Sequence, residues 1–247
     1  MFRLIAAIAA CCLFAGCATV NPMAFDKNAT SVDTNAKSVV LVAIDVSRSD
    51  DSRYVPRPFV VKLELPNAQS KEERQNFKMA KDVDSFEHDG HTIFLARMAL
   101  APGKYKFGEI MGMASAFPFN GMFVVPVNSE VTIAPHSVAY IGHIAAKLRT
   151  REGTEFRAGP VLPLIDQSAT GFSGGTWDIV IDDQHDADLA LFRANFPVLN
   201  GVQVENNPLP PFDRAAYQKL WDGEQQPETK DDKKVSEATP AKDKGAQ

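Results

Sequence analysis

The stretch "GKYKFGEI" (103–110) alternates strictly, with Tyr105 and Phe107 on one side and Lys104 and Lys106 on the other. Successive side chains of a strand point to opposite faces, so a period of two marks half-buried sheet and does not suit an amphipathic helix. "FVVKLEL" (59–65) repeats the pattern, setting Phe59, Val61, Leu63 and Leu65 against Lys62 and Glu64. "SVVLVAIDV" (38–46) is apolar on both faces and predicts a central strand. "SVAYIGHIAAKL" (137–148) and "TWDIVID" (176–182) complete the clearest set. Asp89-Gly90, between "VDSFEH" and "HTIFLARM", is the favoured pair for a tight type I′ turn and predicts a hairpin. Helical signals are fewer. Ser70 and Glu73 have capping-box spacing ahead of a weakly amphipathic stretch to Lys81. "DADLALFRANF" (186–196) opens with acids and carries apolar residues at 189, 192 and 196, and "DRAAYQKLW" (213–221) reads as a closing helix. Many strands with Pro/Gly punctuation and one to three short helices predict a mainly β chain folded as a β-sandwich.

The two ends follow other rules. Arg3, an apolar run from Leu4 to Phe14 and the small pair Ala15-Gly16 have the layout of a secretory leader, predicting a signal helix over 1–16. That run is short of the roughly 20 residues a membrane-spanning helix needs. All three cysteines, Cys11, Cys12 and Cys17, fall in or next to it. Removal of 1–16 leaves Cys17 alone, so no intrachain disulfide is available. Phe14-Ala15-Gly16-Cys17 resembles a bacterial lipobox with Phe14 in place of the usual Leu, Val or Ile. The resemblance implies that Cys17 is the lipid attachment site, and Ala18 after it implies the periplasmic face of an outer membrane. Residues 17–36 read as a flexible tether, 37–222 as the sandwich domain with its closing helix, and 223–247 as a charged, disordered tail poor in apolar residues. The chain has 26 basic and 31 acidic residues, net −5, which offers no support for nucleic-acid binding.

Two strands carry a further likeness. "LAPGKYKF" (100–107) resembles the L-x-P-G-x-Y strand of small periplasmic sandwiches of the carboxypeptidase-regulatory or PEGA-like kind. "IAPHSVAYIGHI" (133–144) resembles the V-x-P-G-x-V-x-Y-I-G strand of bacterial lipoproteins built on such sandwiches, with His136 where that motif has Gly. The resemblance implies an Ig-like or transthyretin-like sandwich and is silent on activity.

Chemistry-bearing motifs are sparse. "GFSGG" (171–175) matches the nucleophile pattern G-x-S-x-G, but a strand follows Ser173 where that pattern requires a helix. A glycine turn is the better account. His88 and His91 flank the Asp89-Gly90 turn and, with Asp84, form a weak metal candidate against the plainer reading of a solvated hairpin tip. Asp182, Asp183, His185, Asp186 and Asp188 form a second one, against the plainer reading of acids at a helix start. "MGMASAFPFNGMFVV" (111–125) gathers Met111, Met113, Phe117, Phe119, Met122 and Phe123. If exposed, they form an adaptable apolar contact surface; otherwise they are core strand and turn. The expectation is a non-enzymatic accessory or assembly lipoprotein that meets another envelope component through this segment and needs no cofactor. The alternatives are a sugar- or apolar-ligand-binding lipoprotein and, behind it, a metal-assisted hydrolase.

Overall fold

The computed structural model describes residues 20–70, 72–88, 91–161 and 170–225. The signal helix, Cys17, the Asp89-Gly90 turn and the tail beyond 225 lie outside them. The described strands are β1 (Val20–Asn21), β2 (Ser38–Arg48), β3 (Arg57–Glu64), β4 (Arg74–Lys78), β5 (Ser85–His88), β6 (His91–Leu100), β7 (Gly103–Ala116), β8 (Phe119–Ile133), β9 (Val138–Thr150), β10 (Gly175–Asp182) and β11 (Glu205–Asn206). The helices are α1 (Lys81–Asp84), α2 (His185–Asn195) and α3 (Arg214–Gln225), with a 3-10 turn at Pro197–Leu199. One sheet has the order β1-β4-β3-β7-β8 and the other β10-β9-β2-β6-β5, with β11 added to β9. Both are mixed: β1 lies parallel to β4, and β2 lies parallel to β9, while the remaining ladders along each path are antiparallel.

The sheets pack face to face on a core that includes Val40, Val42, Ile44, Phe107, Phe123 and Trp177. The other face of β2 carries Val39, Leu41 and Ala43 into a second cluster with Phe25, Ile93, Leu95, Phe192, Phe196 and Leu199. This is why residues 38–46 are apolar throughout: both faces of that strand are covered. In β3 and β7 only the inner face is covered, so Val61, Leu63, Tyr105 and Phe107 are buried while Lys104 is exposed and Lys62 and Lys106 are half-buried. Each large apolar side chain so buried contributes about 1.5–3 kcal/mol.

Two expectations are corrected. Glu73 Oε2 accepts the backbone N–H of Ser70 at 2.9 Å, as in a capping box, yet the chain then enters β4 rather than a helix. Pairing with β3 (Val61 opposite Phe77, Leu63 opposite Gln75) and burial of Phe77 override the local signal. The stretch expected as a flexible tether packs on the domain from Val20 onward. Phe25 is buried beside Phe196, and Ala24 N–H donates to the carbonyl of Arg97 at 2.7 Å. His136 takes the left-handed conformation (φ 55°) at the position where the motif has Gly, and its Nδ1–H donates to the carbonyl of Thr34 at 3.0 Å.

Candidate interaction site and the buried polar networks

The β7–β8 hairpin outruns its sheet. Pairing of β3 with β7 ends at Arg57 opposite Met113, whereas β7 and β8 stay paired out to Ala116 opposite Phe119. Beyond Met113 the hairpin therefore has no third strand on the β3 side among the described residues. One of its faces is supported. Phe123 is fully buried and lies opposite Gly112, against Phe172 and Trp177 at ring-centroid distances of 5.2 and 5.3 Å. A Cβ on Gly112 would stand 2.0 Å from Phe123 Cζ and 2.5 Å from the carbonyl of Arg57, so only glycine lets that ring lie across the strand. Thr170 packs on Gly121 in the same way and is held by Arg48, whose Nη1 donates to the Thr170 carbonyl at 2.7 Å. The edge of β8 is covered at Val124, which accepts from Trp177 Nε1 and donates to the carbonyl of Ala158, both at 2.8 Å.

The other face and the turn are open. Phe117 is 92% exposed, Met113 41%, Phe119 40% and Met122 38%, and Met113 stands directly opposite Met122. Of the six residues singled out from the sequence, these four form an apolar tip. Met111 is half-buried, and Phe123 belongs to the core, because it faces the inner side of the hairpin. No charged residue lies between Glu109 and Glu130. Gly112, Gly121 and Thr170, which shape the supported face, escaped the sequence reading; the glycine spacing within a Met/Phe-rich hairpin was the available signal.

The metal candidates are brought together only in part. His88 lies opposite His91, as expected for a hairpin, but His91 Nδ1 is engaged by Asp45 Oδ2 at 3.1 Å. Asp84 is remote from a ligand role: its Oδ1 accepts from Arg97 Nη2 and its Oδ2 from the N–H of Ala80, both at 2.6 Å. At the start of α2, Asp183 accepts from Asn206 Nδ2 at 2.8 Å and from the N–H of His185 at 3.0 Å, while His185 Nδ1 meets Asp186 Oδ1 at 2.9 Å. Asp182 accepts long contacts from Gln184 Nε2, at 3.3 Å to each carboxylate oxygen. Among the described residues no group of three or more His, Cys, Asp or Glu is arranged to hold a metal ion. Ser173 sits in the turn entering β10, and His185 follows the far end of that eight-residue strand, roughly 25 Å along the sheet.

Two buried networks were not foreseen. Arg97, 1% exposed, pairs with Asp84, donates through Nε to the carbonyl of Phe25 at 3.0 Å, and lies 3.8 Å above the Phe196 ring. Burial lowers the Arg97 pKa, and Asp84 opposes that shift. Asp188, buried in the first turn of α2, accepts from Tyr140 Oη at 2.6 Å and meets His143 Nδ1 at 3.1 Å. Burial disfavours the charged His143 imidazole, but the hydrogen bond and charge of Asp188, with Asp182 and Asp45 nearby, outweigh it and raise the pKa. Burial, then Asp188, pushes the Tyr140 phenol well above its usual value. Both networks tie covering segments to the six-stranded sheet and touch no open cleft among the grooves described below.

The clearest groove, about 420 Å³, runs between α3 (Tyr217, Leu220, Trp221, Glu224) and the outer face of β3, β4 and β7. A second, about 410 Å³, lies between β2 and the loop 50–57. Neither is lined by residues of the hairpin tip. No protein-family model matches the chain, and comparison with curated proteins and with solved structures finds no match.

Proposed function

We propose that this chain is a lipid-anchored protein of the bacterial cell envelope, attached through Cys17 to the outer membrane with its domain in the periplasm. In this reading it works without catalysis, as an accessory or assembly protein that contacts another envelope protein, and its two sheets form a sandwich of the Ig-like or transthyretin-like kind. One observation carries the contact: the β7–β8 hairpin exposes Phe117, Phe119, Met113 and Met122 on a supported arm, where solvent exposure of large apolar groups is otherwise unfavourable. Aromatic and Met side chains of this kind are enriched in the cores of protein interfaces. An enclosed pocket among residues 111–123 would favour a small ligand instead; Phe117 is 92% exposed, and neither groove described above is lined by residues 113–122.

The test is purification of the tagged full-length protein from its own membranes in mild detergent, with mass spectrometry of what co-elutes. The expected result is one stoichiometric partner, lost in Phe117→Asp/Phe119→Asp while thermal stability stays within about 0.5 kcal/mol, as for surface substitutions. A variant that keeps the partner sinks the contact. Cys17→Ser should leave the membrane fraction. A second reading, binding of a sugar or apolar molecule, rests on the groove under α3, where Trp221 and Leu220 overhang polar side chains. Loss of glycan or fatty-acid binding in Trp221→Ala would support it.

A further inference from the structure

The hairpin tip and the point where the described chain begins lie apart in both directions of the same sheet. β1 runs parallel to β4; β4 and β7 are each antiparallel to β3. All three of β1, β4 and β7 therefore run toward the tip. Along the strands, Val20 is level with Asn76, Lys62 and Glu109, so roughly 25 Å of β7 separates that level from the turn. Across the strands, β4 and β3 stand between β1 and β7, about 15 Å at ordinary strand spacing. Cys17 is three residues before Val20, a reach of at most about 10 Å. With the domain upright on the end opposite the tip or resting on its β1 edge, an acyl group on Cys17 holds the β1 side to the membrane and leaves the tip clear of it.

Composition points the same way. Segments that bind a membrane surface combine apolar groups with Lys or Arg that attract anionic lipid. The 110–129 stretch has no charge of either sign. A second copy is a poor receiver. Phe117 and Phe119 offer at most roughly 150–250 Å² each. Two convex tips cover only one side of each ring, short of the roughly 1,200 Å² of a stable interface. A concave receiver encloses the same rings and leaves no charge stranded.

We infer that the tip is the membrane-distal end of the anchored protein and that its occupant is a separate protein with an uncharged, concave apolar pocket for Phe117 and its neighbours. The direction rests on the lipid-anchor reading above; the pocket chemistry rests on the hairpin alone.

The test places the photoreactive residue p-benzoylphenylalanine at Phe117, at Phe119 and, as controls, at Lys104 and Val180, in the full chain in native membranes. The expected result is one and the same protein linked from 117 and 119 and from neither control, with the linked peptide apolar and uncharged. Met113→Asp/Met122→Asp should cut that adduct at least tenfold. Phospholipid linked at 117, a band containing only this chain, or no adduct at either tip position would each overturn the inference. Cys17→Ser separates the two readings. Its retention after carbonate washing refutes the anchor, and with it the direction, whatever is linked. Its release together with a lipid adduct at 117 in the anchored protein refutes the tip assignment and leaves the anchor standing.

Discussion

The two sheets share a core but differ on their outer faces. Around β2 and β6 the six-stranded sheet is covered on both sides, by residues around Phe25 and by α2 with the 3-10 turn, and the charges buried under that cover are paired: Arg97 with Asp84, and His143 with Asp188 and Tyr140. The five-stranded sheet leaves its outer face largely to water. Arg74, Glu64, Lys106 and Glu130 stand side by side on four successive strands with alternating sign, and Lys62 meets Glu109 at 2.6 Å. Ion pairing is therefore obligatory under the cover of one sheet and optional on the open face of the other. A buried charge without its partner has nothing else to stabilise it, whereas an exposed one has water.

The comparison breaks most sharply at Asp84. Asp84→Ala strands the buried Arg97 guanidinium and should destabilise the fold by about 3–5 kcal/mol, read as a lower urea midpoint. Arg97→Met combined with Asp84→Ala should recover much of that loss; if the double variant is worse still, the cost does not come from a stranded charge. Phe196→Ala removes the ring under Arg97 and its edge contacts with Phe25 and Phe86. A loss of about 3 kcal/mol is expected, and a loss below 1 kcal/mol would mean that the cover over this sheet is dispensable. His143 tests the second network through pH. Its folded pKa is raised above 6.5, so its contribution is fully present below the unfolded value and disappears as pH rises through the folded one. Unfolding midpoints measured between pH 5 and 9 should fall across that window in the wild type and change less in His143→Gln; equal slopes would dismiss the network as a source of stability. The smallest effect is expected on the open face, where Lys62→Gln should cost less than about 1 kcal/mol, and less again at high salt.

Much of this contrast could be read beforehand, and the unread part has one cause. Continuous apolar sequence in β2 against alternation in β3 and β7 already separates a sheet covered twice from one covered once. The tail-side helices were also visible from their spacing. Arg97 and His143 were visible as lone charged or titratable residues in "HTIFLARMAL" and "SVAYIGHIAA", but their partners were not, because Asp84 and Asp188 arrive through tertiary packing from α1 and α2. β4 shows the converse: a local helix signal at Ser70–Glu73 yields to pairing with β3, which no local window contains. At the hairpin the apolar content was plain while the facing was not. Whether Phe123 or Met122 turns inward depends on where the turn falls, and moving it by one residue exchanges the two faces; Phe119 shares the face of Phe123 and stays 40% exposed beside the turn.

The parallel pairing of β2 with β9 also sets the order in which the chain can fold. Ser38 and Ser137, hydrogen-bonded at the start of that pair, are separated by 99 residues. Hairpins such as β7–β8 need only local contacts, but the centre of the six-stranded sheet stays open until β9 is present. Distant pairings carry a large loop-closure entropy and slow a two-state folder. A chain that emerges N-terminus first during synthesis thus holds β2, its most apolar strand, without its β9 partner until about 100 further residues have followed. Escape from aggregation during that interval is a kinetic requirement on the chain, set by topology rather than by the stability of the finished fold.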